Sequence, residues 1–183
     1  PLLSLMDAST MTDADEPRLV YTLPVVIVGA GELNLETLDQ FLAAAGDERC
    51  GAVDEASSTR HGERVAIVAV DGGMDAIAQA RPHLAVDALV GDLDSVSDAA
   101  EWKAAGVRVV GLTEQDTTDC HKVLRVVQAP LALMVGFEGR RVDHLLAALS
   151  AVASVEQRAV MAVGTDLAFR LPAADSERQG RFR

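Results

Sequence analysis

Aromatic residues are scarce: Phe, Trp and Tyr together make up 3% of the 183-residue chain. Because 49% of residues are still hydrophobic, the core must be built from Ala, Val and Leu, the composition of buried parallel strands covered by helices. Cysteine is nearly missing. Cys50 and Cys120 are too few for a disulfide scaffold and lack zinc-ligand spacing, so a reducing, cytoplasmic setting is the simpler expectation. Positive charge is in short supply, with 16 Lys and Arg against 28 Asp and Glu, a net charge of -12. That excludes the basic footprint of a nucleic-acid binder and a polybasic membrane surface. No apolar run reaches the roughly 18 residues of a membrane-spanning helix. The opening "PLLSLMDASTMTDADEPR" has neither a basic start nor a long apolar centre. It reads as part of a mobile acidic tail over 1–23, not as a signal peptide.

What is present is a repeating alternation. Buried-strand patterns occur at "PVVIVGAG", "RVAIVAV", "AVDALV", "VRVVGL", "LALMVGF" and "RAVMAVG". Helical patterns fall between them: "LETLDQFLAAA" capped by Asn34, "GMDAIAQA", "DAAEWKAA" capped by Ser97, "TTDCHKVLRVVQ", and "VDHLLAALSAVASV". Strand followed by helix throughout predicts a doubly wound α/β domain over 24–165, with about six mostly parallel strands and helices on both faces. Residues 46–64 are polar and lack periodicity, and read as an insertion or mobile loop.

The unusual polar residues fall where strands end, the place where such sheets bind ligands. They are "GAGELN", "DGG" at 71–73, "GDLDS" at 91–95, "TEQDTTD" at 113–119 and "GFEGRRVDH" at 136–144. Asp71, Asp92, Asp94, Asp116 and Asp119 are thereby expected on one rim. Carboxylates gathered in a partly dry cleft repel one another. A magnesium ion, which prefers a few carboxylates plus waters and phosphate oxygens, removes that objection. Asp92 and Asp94 are the first candidates as metal ligands, with Asp71 and Asp116 beside them. Gly29, Gly31, Gly72 and Gly73 suit close approach of phosphate to backbone. Lys122, three residues after Asp119 on one helix face, and the Arg140–Arg141 pair offer positive charge to it. Taken singly, Asp119 reads equally well as a helix cap, and Lys122 as its surface ion-pair partner. His83 and His121 read as solvated, and His144 as a structural hydrogen-bonder.

With these motifs in order, the chain resembles the catalytic domain of the thiamine pyrophosphokinase family. The resemblance rests on Asp71-Gly72-Gly73, Gly91-Asp92-Leu93-Asp94-Ser95, Asp116-Thr117-Thr118-Asp119-Cys120-His121-Lys122 and Gly139-Arg140-Arg141-Val142-Asp143-His144. It implies transfer of the terminal pyrophosphoryl unit of ATP to the hydroxyl of thiamine, giving thiamine diphosphate and AMP. It also implies that Asp71, Asp92, Asp94 and Asp116 or Asp119 surround magnesium and polyphosphate. Gly72, Gly73, Ser95, Thr118, Lys122 and Arg141 would contact the nucleotide, and a homodimer is expected. The second glycine of the last motif is replaced by Arg140. The family's C-terminal β-rich thiamine-binding domain has no counterpart beyond residues 166–183, which read as its start or as a tail.

Two rivals stand beside this reading. Asp-x-Asp after a buried strand is also the signature of haloacid-dehalogenase-like phosphatases, but there it closes the first strand and here the third. A nucleotide-binding or dimerisation module without activity is the other.

Overall fold

A computed structural model describes residues 17–45, 65–112, 114, 116–139 and 141–171. Its elements in chain order are β1 (Leu19–Val20), β2 (Val25–Val28), α1 (Leu35–Ala45), β3 (Ala66–Val70), α2 (Gly73–Ala80), β4 (Ala88–Gly91), α3 (Ala99–Ala104), β5 (Arg108–Gly111), α4 (Asp119–Val126), β6 (Val127–Gln128), β7 (Ala132–Val135), α5 (Val142–Ser154), β8 (Ala159–Val163) and β9 (Asp166–Phe169).

The central strands β2, β3, β4 and β7 are apolar throughout, and both their faces are covered. Val25 and Ile27 of β2 pack with α4 and α5. Val26 and Val28, one residue out of phase, pack with α1 and α2, as a period of two requires. The main sheet has the order β5-β4-β3-β2-β7-β8-β9. All its pairs are parallel except β8 with β9. The chain builds outward from β2 to β5 and then returns to the far side of β2 as β7. Neighbouring connections therefore leave β2 and β7 on opposite faces, which opens a crevice beyond their carboxyl ends.

The expected α/β architecture is thus observed, with three additions. Val127–Gln128, assigned by periodicity to a helix, instead form β6 and pair in parallel with β1. Two successive β-branched residues and Pro130 disfavour continuing α4, and Leu19, buried against this pair, draws part of the expected 1–23 tail into the fold. Residues 1–16 and the 46–64 insertion lie outside the described residues. A further strand, β9, turns back at Gly164 (φ +59) and pairs with β8, so residues 166–169 extend the same sheet. Among the described residues no helix is long and apolar enough to cross a membrane.

At the caps, Asn34 accepts from the Thr37 N–H at 3.1 Å, as expected. Helix α3 is capped by Asp98, which accepts from the Glu101 N–H. The expected cap, Ser97, bonds Asp75 of α2 instead, through both its N–H and its hydroxyl.

Candidate functional site

The site is organised around Asp71, at the carboxyl end of β3. Asp71 is 2% exposed and takes a left-handed backbone conformation, φ +44. An L-residue adopts that conformation at some cost, and it persists where surrounding structure dictates it. One carboxylate oxygen, Oδ1, accepts from the Leu93 N–H at 2.9 Å. The other, Oδ2, is buried and has no hydrogen-bond partner. Burial pushes the Asp71 pKa up to about 6; the Leu93 N–H opposes this, and the charges of Asp119, Asp92 and Asp94 add to it. A buried, unpartnered carboxylate oxygen among three other carboxylates lacks a positive partner.

The β4 turn wraps over Asp71. A Cβ at Gly91 would collide with the Asp71 carboxylate, so only glycine lets the turn close this tightly. Asp92 and Asp94 follow. The Asp94 N–H donates to Asp92 Oδ1 at 3.3 Å. The two carboxyl groups stand within hydrogen-bonding reach, and that contact with Asp92 raises the pKa of Asp94. Neighbouring carboxyls repel each other, and a cation between them would relieve that repulsion. Ser95 lies beside Gly72, whose Cβ position is 3.6 Å from the Ser95 carbonyl.

Helix α4 supplies the cation. Lys122 is 2% exposed, and its ammonium lies 3.2 Å from Asp119 Oδ1 and 3.6 Å from Asp92 Oδ2. Burial alone would lower its pKa, but the hydrogen bond and charge of Asp119, with Asp92 and Glu114, outweigh burial and raise it. Lys122 thus sits inside the carboxylate group, not on the surface, and Asp119 is its partner. Asp116 is exposed, and its backbone N–H donates to the Glu114 carboxylate.

Beside this group lies a cleft of about 520 Å³ between the turns after β2, β4 and β7 and the starts of α4 and α5. Asp92, Asp119 and Lys122 form one wall, Val70, Cys120 and Ala148 contribute apolar surface, and Arg141 and His144 stand on the α5 side. Arg141 is exposed and forked onto Asp143, at 3.1 Å and 2.5 Å. The Thr118 hydroxyl is engaged with His121 Nδ1 at 2.9 Å.

The glycines after β2 serve differently from the expectation. Gly29 and Gly31 give their N–H groups to the Val135 and Gly136 carbonyls at 2.9 Å and 2.7 Å, and a Cβ at Gly31 would meet the Glu138 carbonyl. Their lack of side chains lets two loops touch, which leaves those N–H groups unavailable to a phosphate. Gly73 is likewise packed against the Val28 carbonyl. Sequence reasoning also missed Glu114, whose carboxylate accepts from the Thr117 N–H at 2.7 Å and the Thr117 hydroxyl at 2.6 Å. Its signal was a carboxylate three residues ahead of a threonine in a turn.

Among the described residues no three Asp, Glu, His or Cys side chains gather tightly enough to hold a metal ion by themselves. The neighbouring Asp92 and Asp94 carboxyls fit a magnesium ion whose remaining ligands are waters and phosphate oxygens.

Fold and site together define a doubly wound α/β domain with an acidic, lysine-bearing cleft at the carboxyl ends of its strands. Residues 62–163, more than half of the chain, match the profile of the thiamin pyrophosphokinase catalytic domain, and the chain belongs to that family. Among solved structures it is similar to thiamin pyrophosphokinase from Candida albicans, with 13% identity, a TM-score of 0.55, and coverage of 79% of this chain and 59% of that one. The enzymes from Geobacillus thermodenitrificans and Bacillus subtilis are 23% and 21% identical, with coverage of 75% and 76% of this chain, 59% and 60% of theirs, and TM-scores of 0.49 each. These likenesses concern the fold. The chain spans about 60% of the length of these three structures. No curated protein matches the sequence.

Proposed function

We propose that the chain forms the nucleotide half of a diphosphotransferase site, binding ATP with magnesium and passing the terminal pyrophosphoryl unit to the hydroxyl of thiamine. The observation that carries this reading is the carboxylate group at the strand ends, Asp71 with Asp92, Asp94 and Asp119, together with the buried Lys122 ammonium paired to Asp119 and Asp92. Asp92 and Asp94 would hold the magnesium, which when bound draws charge from the polyphosphate oxygens. Lys122 holds positive charge beside the same oxygens. Arg141, once released from Asp143, reaches phosphate from the α5 side. Thr118 lines the cleft, and Gly72 and Ser95, side by side, would meet the nucleotide from the β4 side; Gly73 would contribute through its packing alone.

Attack by the thiamine oxygen on the β-phosphorus forms the new P–O bond and breaks the bond to the AMP oxygen. As in phosphoryl transfer generally, positioning and charge stabilisation supply most of the acceleration. The hydroxyl proton needs an acceptor. Asp71 suits that role better than the exposed Asp116, because a carboxylate with pKa about 6 takes up a proton near neutral pH. A homodimer belongs to the same reading, and the exposed Leu167, Phe169 and Leu171 offer apolar surface for one.

Calorimetry with Mg-ATP on Asp94→Asn tests the metal assignment. Losing one charged contact is worth about 1.5–3 kcal/mol, so affinity should fall about tenfold or more with the thermal midpoint unchanged. Unchanged affinity would remove Asp94 from the site. A product assay then decides the acceptor. Thiamine-dependent release of AMP and thiamine diphosphate supports the transferase reading; ATP binding without turnover, by a chain that includes any missing acceptor domain, favours a binding module.

A further inference from the structure

Lys122 reaches Asp92 and Asp119 only if α4 starts in the right place, and α4 does not cap itself. The Thr118 side chain, at the N-cap position, makes no bond to the helix backbone; its hydroxyl goes to His121. What holds the turn is Glu114, a residue before the motif. Its two carboxylate oxygens take the Thr117 N–H at 2.7 Å and the Thr117 hydroxyl at 2.6 Å. The second oxygen also lies 3.5 Å from the Arg125 guanidinium, near the far end of the same helix. Directly after the clamped residue, the Thr118 carbonyl accepts from the Lys122 N–H at 2.9 Å. The chain of contacts runs from Glu114 through Thr117 and Thr118 to the backbone of Lys122, whose side chain then enters the carboxylate group.

We infer that Glu114 is a positioning residue of the site, a clamp that sets the register of the 116–119 turn and so the place of Lys122 and Asp119. As to its bearing on Mg-ATP, the inference rests on the function proposed above. The Glu114 carboxyl is held below its usual range, first by the Thr117 hydroxyl bond, with the Thr117 and Asp116 N–H groups and Arg125 adding to it. That fits an ionised acceptor in constant use. Thr117 lines the cleft, yet both its donors are spent on Glu114. Its role toward a ligand is therefore to shape the wall, not to bind.

Two variants and two readouts test the clamp. In Glu114→Ala, amide exchange at Thr117 and through the first turn of α4 should quicken at least tenfold, while exchange in β2, β3 and β7 stays as in the wild type. Mg-ATP affinity, measured by calorimetry, should drop about tenfold. Glu114→Gln keeps one acceptor oxygen for the Thr117 N–H and should recover most of both losses. The inference is overturned if Glu114→Ala leaves Thr117 exchange unchanged. It is also overturned if both variants lose protection throughout the sheet, which would make Glu114 a general stabiliser. Local release of the turn by Glu114→Ala, in a wild-type protein that binds no Mg-ATP, would uphold the clamp and overturn the nucleotide reading.

Discussion

Asp71 is held at a cost to the folded state. Its folded pKa, about 6, lies above the ordinary value of 3.8. The folded protein therefore binds this proton more tightly than the unfolded chain. Stability is lost as pH rises from about 4 through 6, where the folded carboxyl ionises. Asp71→Asn cannot ionise, so without magnesium it should be more stable than the wild type at pH 8, by on the order of 1–3 kcal/mol. The gain should shrink toward pH 4. Urea unfolding at several pH values measures this, and equal stability at pH 8 would refute it. The same variant should lose activity, because the destabilising charge is the one the site needs. Two glycines make a paired prediction. At Gly91 a Cβ meets the end of the Asp71 side chain, and at Gly31 it meets the backbone carbonyl of Glu138. Gly91 also holds φ +155, a conformation that L-residues rarely adopt, whereas Gly31 suffers from the collision alone. Gly31→Ala should thus lower stability by about 1–3 kcal/mol or more, as overpacking does. Gly91→Ala should lower the thermal midpoint too, through its strained backbone, and by displacing Asp71 it should also weaken Mg-ATP binding.

At the scale of elements, the sequence-based reading succeeded where one physical rule acted alone. All six expected strands exist, and the central ones, buried on both faces, write themselves as apolar runs. It failed where a tertiary partner outbid a local rule. Ser97 is a good cap by type, but Asp75 takes both its donors. Val127–Gln128 continue a helical pattern, but β1 offers a strand partner that no local window contains. The glycines of "GAGELN" signal close approach, and close approach is what they permit; the neighbour is the β7 loop. Of the candidate site, the Asp71, Asp92 and Asp94 turns and the Asp119–Lys122 helix face were legible from position at strand ends. The burial of Lys122 was not, since it depends on how α4 tilts over β4. Glu114 was passed over because its spacing to Thr117 gains meaning only through the two bonds they make.

For the whole molecule, the order of the sheet has a consequence for how the chain can be cut. β2 is bonded along both edges: Val25–Val28 pair with Ala66–Ala69 on one side and Ala132–Val135 on the other. Helix α1 presses Leu38 and Phe41 into the same layer. The stretch 46–64 joins this unit to everything that follows. Splitting the gene there would produce one fragment carrying the keystone strand and a second carrying the arch with a gap where the keystone sits. In the second, β3 and β7 would each expose an unpaired, wholly apolar edge. Neither fragment should unfold cooperatively alone. Mixed, they should reassociate into a nicked protein with a single thermal transition and the circular dichroism of the intact chain. Cooperative unfolding of the larger fragment alone would contradict this. Success would make the chain between Ala45 and Val65 a site for permuting the protein or inserting a reporter domain.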